Sequence, residues 1–545
     1  MSSEPLPDSE TTPVTDQGNE GLLRKARLDI ALGRETEAAE AFEKALSRGG
    51  GTARDCFDLG VLLEGRQRLL DAVIWFERAA AKDPKLFEPH LNLGRARVRV
   101  GEPSAAVVDF DAALARGAGL AAVSDRLLAL NYVPELSEAD VAEEHFRQGA
   151  AFGKEIRSPD DFETLRQESS EAPIRIGILS PDLRSHPIGW FLRPLLPRLS
   201  AMGFELLAYS STPIPDSVTS DLRPACSAWR ECLGVPDSRV ESLVLADRPH
   251  VLLDMSGHTA RNRMTLTARR LAPVQIQWIG YANTTAVSAV DFTIGDPIET
   301  PPHAHRFFSE SIVTMPDAYA CYEAPPGLGA AGPLPCLTRG SVTFGSLNNP
   351  SKIHPNVLEV WAKIIRDVPK SRLLLRYQTY SDPKLRDRYL RFFEERGIDP
   401  GRIEMIAGGT PQEAIATYEA IDIALDTFPY SGCTTTCESI ARGVPVVAMR
   451  GRGFPGRHSA SFLSNASLAD WVNEDLDRYA EMAIERANDP SRLATLRRRL
   501  PAELASTPLC DADRFTAHLA RALRHIVQRW RDGEPPAAFE VASID

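Results

Sequence analysis

The segment FPYSGCTTTCESIARGVPVVAMRG, residues 428–451, begins a helix directly after one strand-like run and before another. The run before it, IDIALDT, and the run that follows, VPVVAM, are short and apolar, which is typical of strands in a parallel sheet buried on both faces. Cys433 and the threonines at 434–436 occupy positions where most helices place one capping residue. The segment therefore predicts an α/β lobe with an unusually polar helix start.

The same alternation of apolar runs and helical stretches extends along the chain. A first series of these alternating segments lies within residues 172–340, and its last part, from about residue 297, is rich in loops. A second series lies within residues 341–545. These patterns predict two Rossmann-like lobes, with a ligand bound between them at the carboxyl ends of the strands. The first strand is not followed by G-x-G-x-x-G, and the chain lacks G-x-x-x-x-G-K-[ST]. A dinucleotide enzyme and a P-loop NTPase are therefore disfavoured.

The first fifth of the chain repeats with a period of 34 residues. The period relates Ala38 to its equivalents at 72 and 106, and Phe42 to its equivalents at 76 and 110. Small residues where two helices touch, followed by an aromatic residue one turn later, are typical of tetratricopeptide repeats. We predict three repeats over residues 21–118, a helical cap and linker over 119–171, and a disordered acidic tail over 1–20.

Composition narrows the class of protein. The net charge of −12 argues against a general binder of nucleic acid or anionic membranes, and no apolar run approaches the ~18 residues of a membrane span. The first residues do not resemble a signal peptide. The eight cysteines are scattered, which indicates neither a disulfide framework nor a zinc site. We expect a cytoplasmic protein.

The polar helix start is suited to an anion. A helix N-terminus carries partial positive charge and unpaired N–H groups, to which Thr434 and Thr435 add hydroxyl donors. Glu438, one turn further on, is placed to accept hydrogen bonds from ribose hydroxyls. The alternative is an ordinary cap in which Thr435 and Glu438 form a capping box. In TFGSLNNPSKIHP, residues 343–355, Lys352 could reach a diphosphate or could be a surface lysine.

Three longer motifs point to a family. GHTARNRMTLTARRLAPVQIQWIGYANTT (257–285), TFGSLNNPSKIHPNVLEVW (343–361) and DIALDTFPYSGCTTTCES (422–439) together resemble protein O-GlcNAc transferases and their SPINDLY relatives, glycosyltransferase family 41. The resemblance covers the whole chain. It implies tetratricopeptide repeats followed by a GT-B fold, with an acceptor-side lobe at 172–340 and a nucleotide-sugar lobe at 341–545. Enzymes of this kind need no metal.

The resemblance also implies roles for individual residues. Lys352 corresponds to the family's lysine on the donor diphosphate, Thr434 and Thr435 to its Thr-Thr pair, and Glu438 to its ribose-binding carboxylate. Asn349 stands where O-GlcNAc transferases have a glutamine near the phosphates.

Three histidines are candidates on the acceptor side of the cleft. His186, in PDLRSHPIGWF, corresponds to the histidine often proposed as general base, and His250 to another cleft histidine. His258, in the GHTA motif, is a further candidate for the cleft or the acceptor site. His186 could instead cap a helix or contact the acceptor, in which case the leaving phosphate could serve as base.

Some residues depart from the O-GlcNAc transferase pattern. Cys433 replaces a histidine before the Thr pair, and Ala414 or Ile415 stands where a uracil-stacking histidine is expected. Tyr418 is the best nearby aromatic candidate for contact with the base. The motifs are closest to SPINDLY, whose plant form uses GDP-fucose. The donor is therefore UDP-GlcNAc, the family default, or GDP-fucose.

We hypothesise an inverting, metal-independent protein O-glycosyltransferase without a cofactor, whose repeats hold a protein acceptor with a reactive Ser or Thr. A flagellin-type glycosyltransferase using another activated sugar is an alternative. A non-catalytic tetratricopeptide adaptor is another, although a scaffold would have no use for Lys352 and the Thr pair.

Overall fold

The computed structural model describes residues 18–153, 156–324 and 331–544. Most of the predicted acidic tail lies outside the described residues, and its last positions already belong to the first helix. Six helices form three antiparallel pairs: α1 (Asn19–Ala31), α2 (Glu35–Leu46), α3 (Ala53–Gly65), α4 (Leu69–Lys82), α5 (Glu88–Arg99) and α6 (Pro103–Leu114). The predicted helical repeats are confirmed.

The 34-residue period reflects contact between the helices of each pair. Gly60 lies so close to the Phe76 ring that a Cβ atom there would be 2.5 Å from it, and Gly94 faces Phe110 in the same way at 2.7 Å. A residue without a side chain fits this close approach, so the glycine and the phenylalanine occur together in the second and third repeats.

The helical cap continues the array and joins it to the first lobe. It comprises α7 (Leu120–Leu130), α8 (Glu138–Gly149) and the short α9 (Glu163–Arg166). Val123 and Leu127 of α7 pack in one hydrophobic cluster with Met264 and Val287 of the lobe. Because they share a core, the cap and the lobe are held together by hydrophobic burial.

The first lobe is built on an eight-stranded parallel sheet in the order β14-β7-β6-β5-β4-β1-β2-β3, in which β14 is Phe539–Glu540. Its consecutive strands are β1 (Arg175–Ser180), β2 (Glu205–Ser210), β3 (Ala228–Glu231), β4 (Val251–Asp254), β5 (Val274–Gln277), β6 (Phe292–Gly295) and β7 (Ser311–Thr314). The helices between them are α10 (Pro187–Leu192), α11 (Leu196–Ala201), α12 (Ser217–Leu222), α13 (Asp237–Asp247) and α14 (Met264–Thr267).

The second lobe has a six-stranded parallel sheet in the order β10-β9-β8-β11-β12-β13. Its strands are β8 (Thr343–Ser346), β9 (Arg372–Arg376), β10 (Ile403–Ile406), β11 (Ile423–Leu425), β12 (Val446–Met449) and β13 (Val472–Asn473). Its helices are α15 (Cys336–Arg339), α16 (Pro355–Asp367), α17 (Pro383–Glu394), α18 (Pro411–Thr417), α19 (Thr434–Ala441), α20 (His458–Asn465), α21 (Leu476–Ala487) and α22 (Pro490–Leu504). The two parallel-sheet lobes confirm the predicted fold class.

The end of the chain returns to the first lobe. Helix α23 (Ala512–Arg531) buries Phe515 and Leu519 in the core of that lobe, and β14 (Phe539–Glu540) pairs with β7. The predicted boundary, which gave all of 341–545 to the second lobe, is wrong in this part. The apolar face of α23 required a partner surface, and the sequence pattern does not indicate which lobe supplies it.

The strand orders identify where a ligand binds. In the first sheet, successive strands are added to one side up to β3 and to the other side from β4 onward, so the strand order reverses between β1 and β4. In the second sheet it reverses between β8 and β11. Loops at the carboxyl ends of strands flanking such a reversal form the binding crevice of open α/β sheets. The residues after β1, β8 and β11 therefore border this crevice.

All eight cysteines are free thiols. Within residues 18–153, 156–324 and 331–544, no helix combines the length and apolar character needed to cross a membrane.

Two glycines of α3 offer a test of the repeat packing. We expect Gly60→Ala to destabilise the protein by about 1–3 kcal/mol, because the added methyl group collides with the Phe76 ring. Gly65→Ala is the control, since a Cβ atom there meets nothing within 4 Å and alanine favours helix. Thermal unfolding should show a lower melting temperature for the Gly60 variant alone. Equal melting temperatures would contradict the packing.

Candidate active site between the lobes

Lys352 lies at the carboxyl edge of the second sheet, at the end of a short 3₁₀ turn after β8. Its Nζ atom donates a hydrogen bond of 2.6 Å to the carbonyl oxygen of Ser431 and lies 4.2 Å from the centroid of the Tyr430 ring. Burial lowers the pKa of the ammonium to about 8, although Cys433 and Asp426 oppose the shift. The structure thus brings Lys352 to the loop that precedes the predicted anion site.

The start of α19 has the properties expected of an anion site. Cys433 is its N-cap residue, and no side chain caps the helix, so the alternative capping box of Thr435 and Glu438 is not formed. The Thr434 hydroxyl is buried and has no hydrogen-bond partner among the described residues. An unpaired buried hydroxyl beside a helix N-terminus is what a bound phosphate oxygen would satisfy.

Polar contacts join the loops after β8 and β11. Thr435 Oγ1 donates to Asn348 Oδ1 at 3.0 Å, and Asn348 in turn donates to Asp426 at 3.3 Å. Asp426 also accepts the Gly432 N–H at 2.6 Å. A Cβ atom at Gly432 would lie 2.6 Å from Thr436 Oγ1, so a side chain there would displace that hydroxyl. These contacts fix the helix start relative to Lys352.

Asn349 and Glu438 border the same site. The Asn349 side chain accepts the N–H of Ser351 at 3.1 Å and so shapes the turn that carries Lys352. Glu438 is half-buried one turn into α19, and burial raises its pKa to about 7. Its predicted contact with ribose stays a prediction.

Tyr418 does not present its ring to the cleft. Its side chain is buried, and its hydroxyl donates to the Thr435 carbonyl at 3.0 Å. The residue supports α19 from behind, so the predicted role as an aromatic contact for the base is corrected. Sequence proximity to the site gave no information on the direction of the side chain.

Cys433 is a neutral thiol in this arrangement. Its Sγ atom lies 3.7 Å from the hydroxyl of Tyr319, and burial raises its pKa to about 11. A neutral side chain adds no negative charge beside an incoming diphosphate.

A buried cluster beside Cys433 was missed by sequence reasoning. His458 Nδ1 lies 2.9 Å from the Tyr319 hydroxyl and 3.0 Å from Glu299 Oε1. Burial lowers the pKa of His458 to about 3 and raises that of Glu299 well above its usual range. Glu299 follows β6 of the first lobe and His458 begins α20 of the second, so the cluster spans both lobes. The one available signal was the position of Glu299 shortly after a strand.

His186 lies after β1, at the carboxyl edge of the first sheet, where it is the N-cap of α10. Its Nδ1 atom accepts the Ile188 N–H at 3.4 Å, and burial lowers its pKa. When Nδ1 is the acceptor, the neutral ring carries its hydrogen on Nε2. This geometry favours the capping interpretation over that of a general base, because Nε2 is then a donor.

The other two candidate histidines do not line the cleft. His250 precedes β4 and accepts the Arg175 N–H at the start of β1, which places it at the amino edge of the sheet, opposite the site. His258 is buried between Ser124 of α7 and the carbonyl of Thr285. Both predictions are corrected. His258 instead helps attach the helical cap to the first lobe.

The described residues contain no group of three or more His, Cys, Asp or Glu side chains arranged to hold a metal ion. The positive charge at this site comes from Lys352 and from the start of α19.

Two Rossmann-like lobes, with Lys352 and the uncapped start of α19 at the carboxyl edge of the second, have the architecture of the GT-B fold class. The sequence profile described as glycosyl transferase family 41 matches residues 156–323 and 335–519. The chain belongs to this family, which confirms the resemblance indicated by the motifs.

Two plant proteins are similar in sequence to this chain. The chain is 35% identical over 422 residues to a Petunia hybrida protein and 34% identical over 422 residues to an Arabidopsis thaliana protein, both named "Probable UDP-N-acetylglucosamine--peptide N-acetylglucosaminyltransferase SPINDLY". The matches cover 76% of this chain but only 45% and 46% of the plant proteins. The chain therefore spans less than half the length of these relatives.

A solved structure is similar over nearly the whole chain. It is a lysine-to-methionine mutant of an O-GlcNAc transferase from Thermobaculum terrenum, with 30% identity and a TM-score of 0.82. The match covers 96% of this chain and 99% of that chain.

The lowered pKa of Lys352 predicts a pH dependence of diphosphate binding. A bound diphosphate stabilises the charged ammonium and so raises its pKa above the value of about 8 in the free protein. Affinity for UDP or GDP should therefore be constant just below pH 8 and fall as the pH rises through it, with proton uptake on binding. Calorimetry in buffers of different ionisation enthalpy measures this uptake.

Lys352→Met is the control for that experiment, because it removes the titrating group and should remove the proton uptake near pH 8. Glu438, with a pKa of about 7, titrates below this range. A wild-type affinity that stays unchanged between about pH 7.5 and 9.5 would contradict the assignment of Lys352 to the diphosphate.

Proposed function

We propose that this protein transfers a sugar from a nucleotide diphosphate sugar to a Ser or Thr hydroxyl of a protein acceptor. The observation that carries the proposal is the position of Lys352, whose half-buried ammonium lies against Ser431, two residues before the N-cap of α19. A cation and a helix N-terminus at the crevice of two parallel sheets are suited to a diphosphate leaving group.

The reaction would be a single inverting displacement. The acceptor oxygen bonds to the anomeric carbon while the bond from that carbon to the phosphate oxygen breaks, and the nucleoside diphosphate leaves with the electron pair. Negative charge then grows on the β-phosphate, where the Lys352 ammonium and the Thr434 hydroxyl would stabilise it. The acceptor proton would pass to the departing phosphate. This route requires no metal or other cofactor.

GlcNAc from UDP-GlcNAc is the first candidate for the transferred sugar. The names of the plant relatives and of the Thermobaculum protein support it. Fucose from GDP-fucose is the second candidate, supported by the SPINDLY-like motifs that surround Lys352 and Thr434. Because Tyr418 is buried, base recognition would rest on backbone groups or on side chains other than Tyr418.

The helical repeats would hold the acceptor protein, as their stacked helix pairs form an extended surface beside the lobes. We also propose that the protein acts in the cytoplasm, where its eight free thiols would stay reduced.

Release of free nucleotide from a panel of UDP-, GDP- and CMP-sugars, with and without candidate acceptor proteins, tests the proposed function. A single preferred donor is expected. Binding of a nucleotide without any turnover would instead support the adaptor alternative.

Lys352→Met should fold normally and bind nucleotide at most modestly more weakly, yet lose activity by roughly 100- to 1000-fold. The charge that it removes stabilises the transition state more than the bound donor. Lys352→Arg should restore little, because a planar guanidinium cannot replace a compact ammonium held by one carbonyl. Turnover is measured with the preferred donor, and near-normal turnover of the Met variant would refute the assignment.

Two substitutions of His186 separate capping from proton transfer. Asparagine can cap a helix but is not a base, whereas alanine can do neither. We expect His186→Asn to keep turnover within a few-fold of the wild type, and His186→Ala to destabilise α10 by about 1 kcal/mol. Steady-state kinetics and thermal unfolding report the two effects. A loss of turnover that is large and equal in both variants would instead establish the histidine as the base.

A further inference from the structure

An aromatic ring of the helical cap stacks on the ring that lies beside the Lys352 ammonium. Tyr132 lies just after α7, and its ring stacks on that of Tyr430 with centroids 4.9 Å apart and an interplanar angle of 21°. The Lys352 ammonium lies 4.2 Å from the centroid of the same Tyr430 ring. Three side chains from distant parts of the sequence therefore form one contact chain that ends at the ammonium.

Tyr132 is held in place by its neighbour. Asn131 is buried and donates hydrogen bonds to the Leu127 carbonyl at 3.0 Å and to the Tyr281 hydroxyl at 3.2 Å. Its side-chain oxygen accepts a hydrogen bond of 2.9 Å from Asn283. The end of α7 is thus fixed to the first lobe, and the position of the Tyr132 ring with it.

A second contact joins the third repeat to the loop that carries Lys352. Gly101, in the turn between α5 and α6, has a φ of +80°, and a Cβ atom there would lie 2.6 Å from the Ile353 carbonyl. Ile353 directly follows Lys352 in the chain. The helical domain therefore touches both the backbone after Lys352 and the ring beside its ammonium.

Lysine has a flexible four-carbon stem with many rotamers, so the position of its ammonium depends on the contacts at its end. Those contacts are the Tyr430 ring and the adjacent Ser431 carbonyl. Both belong to one short loop, and movement of Tyr430 would move both. A stacked ring on Tyr430 restrains that loop.

We propose that Tyr132 is a positioning residue of the donor site, which holds Tyr430 and Ser431 where they direct the Lys352 ammonium to the diphosphate. This inference rests on the proposed function. It gives the helical domain a direct part in turnover, in addition to holding the acceptor.

The test compares Tyr132→Ala with Tyr132→Phe in the full chain, by release of nucleotide from the donor that the wild type uses. The alanine variant loses the stacked ring and should lower kcat by roughly 2- to 10-fold, the range of a stacked aromatic pair. The KM for the donor should change less, because the ammonium acts chiefly in the transition state. The phenylalanine variant should match the wild type, since it keeps the ring that stacks on Tyr430.

Two further variants exclude a merely structural effect. Val123→Ala loosens the core of the cap without touching the stack, and should lower the melting temperature while leaving kcat unchanged. In the double variant Tyr132→Ala/Tyr430→Ala, the loss should equal that of Tyr430→Ala alone, because both changes break one interaction.

Wild-type turnover in Tyr132→Ala, an equal loss in Tyr132→Phe, or additive losses in the double variant would each overturn the inference. These outcomes leave the proposed function intact, because it is tested by turnover of the wild type itself.

Discussion

A half-buried ammonium that is held without a carboxylate partner is the constraint around which this site is built. Lys352 donates to the neutral Ser431 carbonyl and lies beside the Tyr430 ring. Asp426, the nearby carboxylate, has one oxygen bonded to Gly432 N–H and Asn348. The positive charge therefore remains available to a ligand, at the cost of a lowered pKa.

Such an arrangement requires rigid surroundings, because neither a carbonyl nor a ring holds an ammonium as firmly as a carboxylate does. The structure supplies rigidity from three sides. The loop after β11 provides the carbonyl and the ring, the cap stacks Tyr132 on that ring, and the third repeat abuts the backbone at Ile353. The helical repeats and the lobes are thus packed together around Lys352.

Ion pairs that cross between these parts reinforce the same arrangement. Arg457, adjacent to His458, is buried and pairs with Glu138 of α8 at 2.8 Å. Lys384 of α17 pairs with Asp71 of α4 at 2.5 Å. Both partners of the first pair are largely buried, so it depends strongly on the docking of the cap. In the second pair Asp71 is buried, whereas the Lys384 side chain is about half exposed.

The sequence by itself determined the repeats, the two parallel-sheet lobes and the candidates Lys352, Thr434 and Thr435. Periodicity and the position of a residue after a strand are local properties, and in parallel sheets all strand ends meet at one edge. Only the tertiary structure decided that His250 lies at the opposite edge, that Tyr418 is buried and that α23 returns to the first lobe. It alone brought Tyr132 to Tyr430, since contacts between residues almost 300 positions apart arise from the packing of whole domains and leave no local pattern.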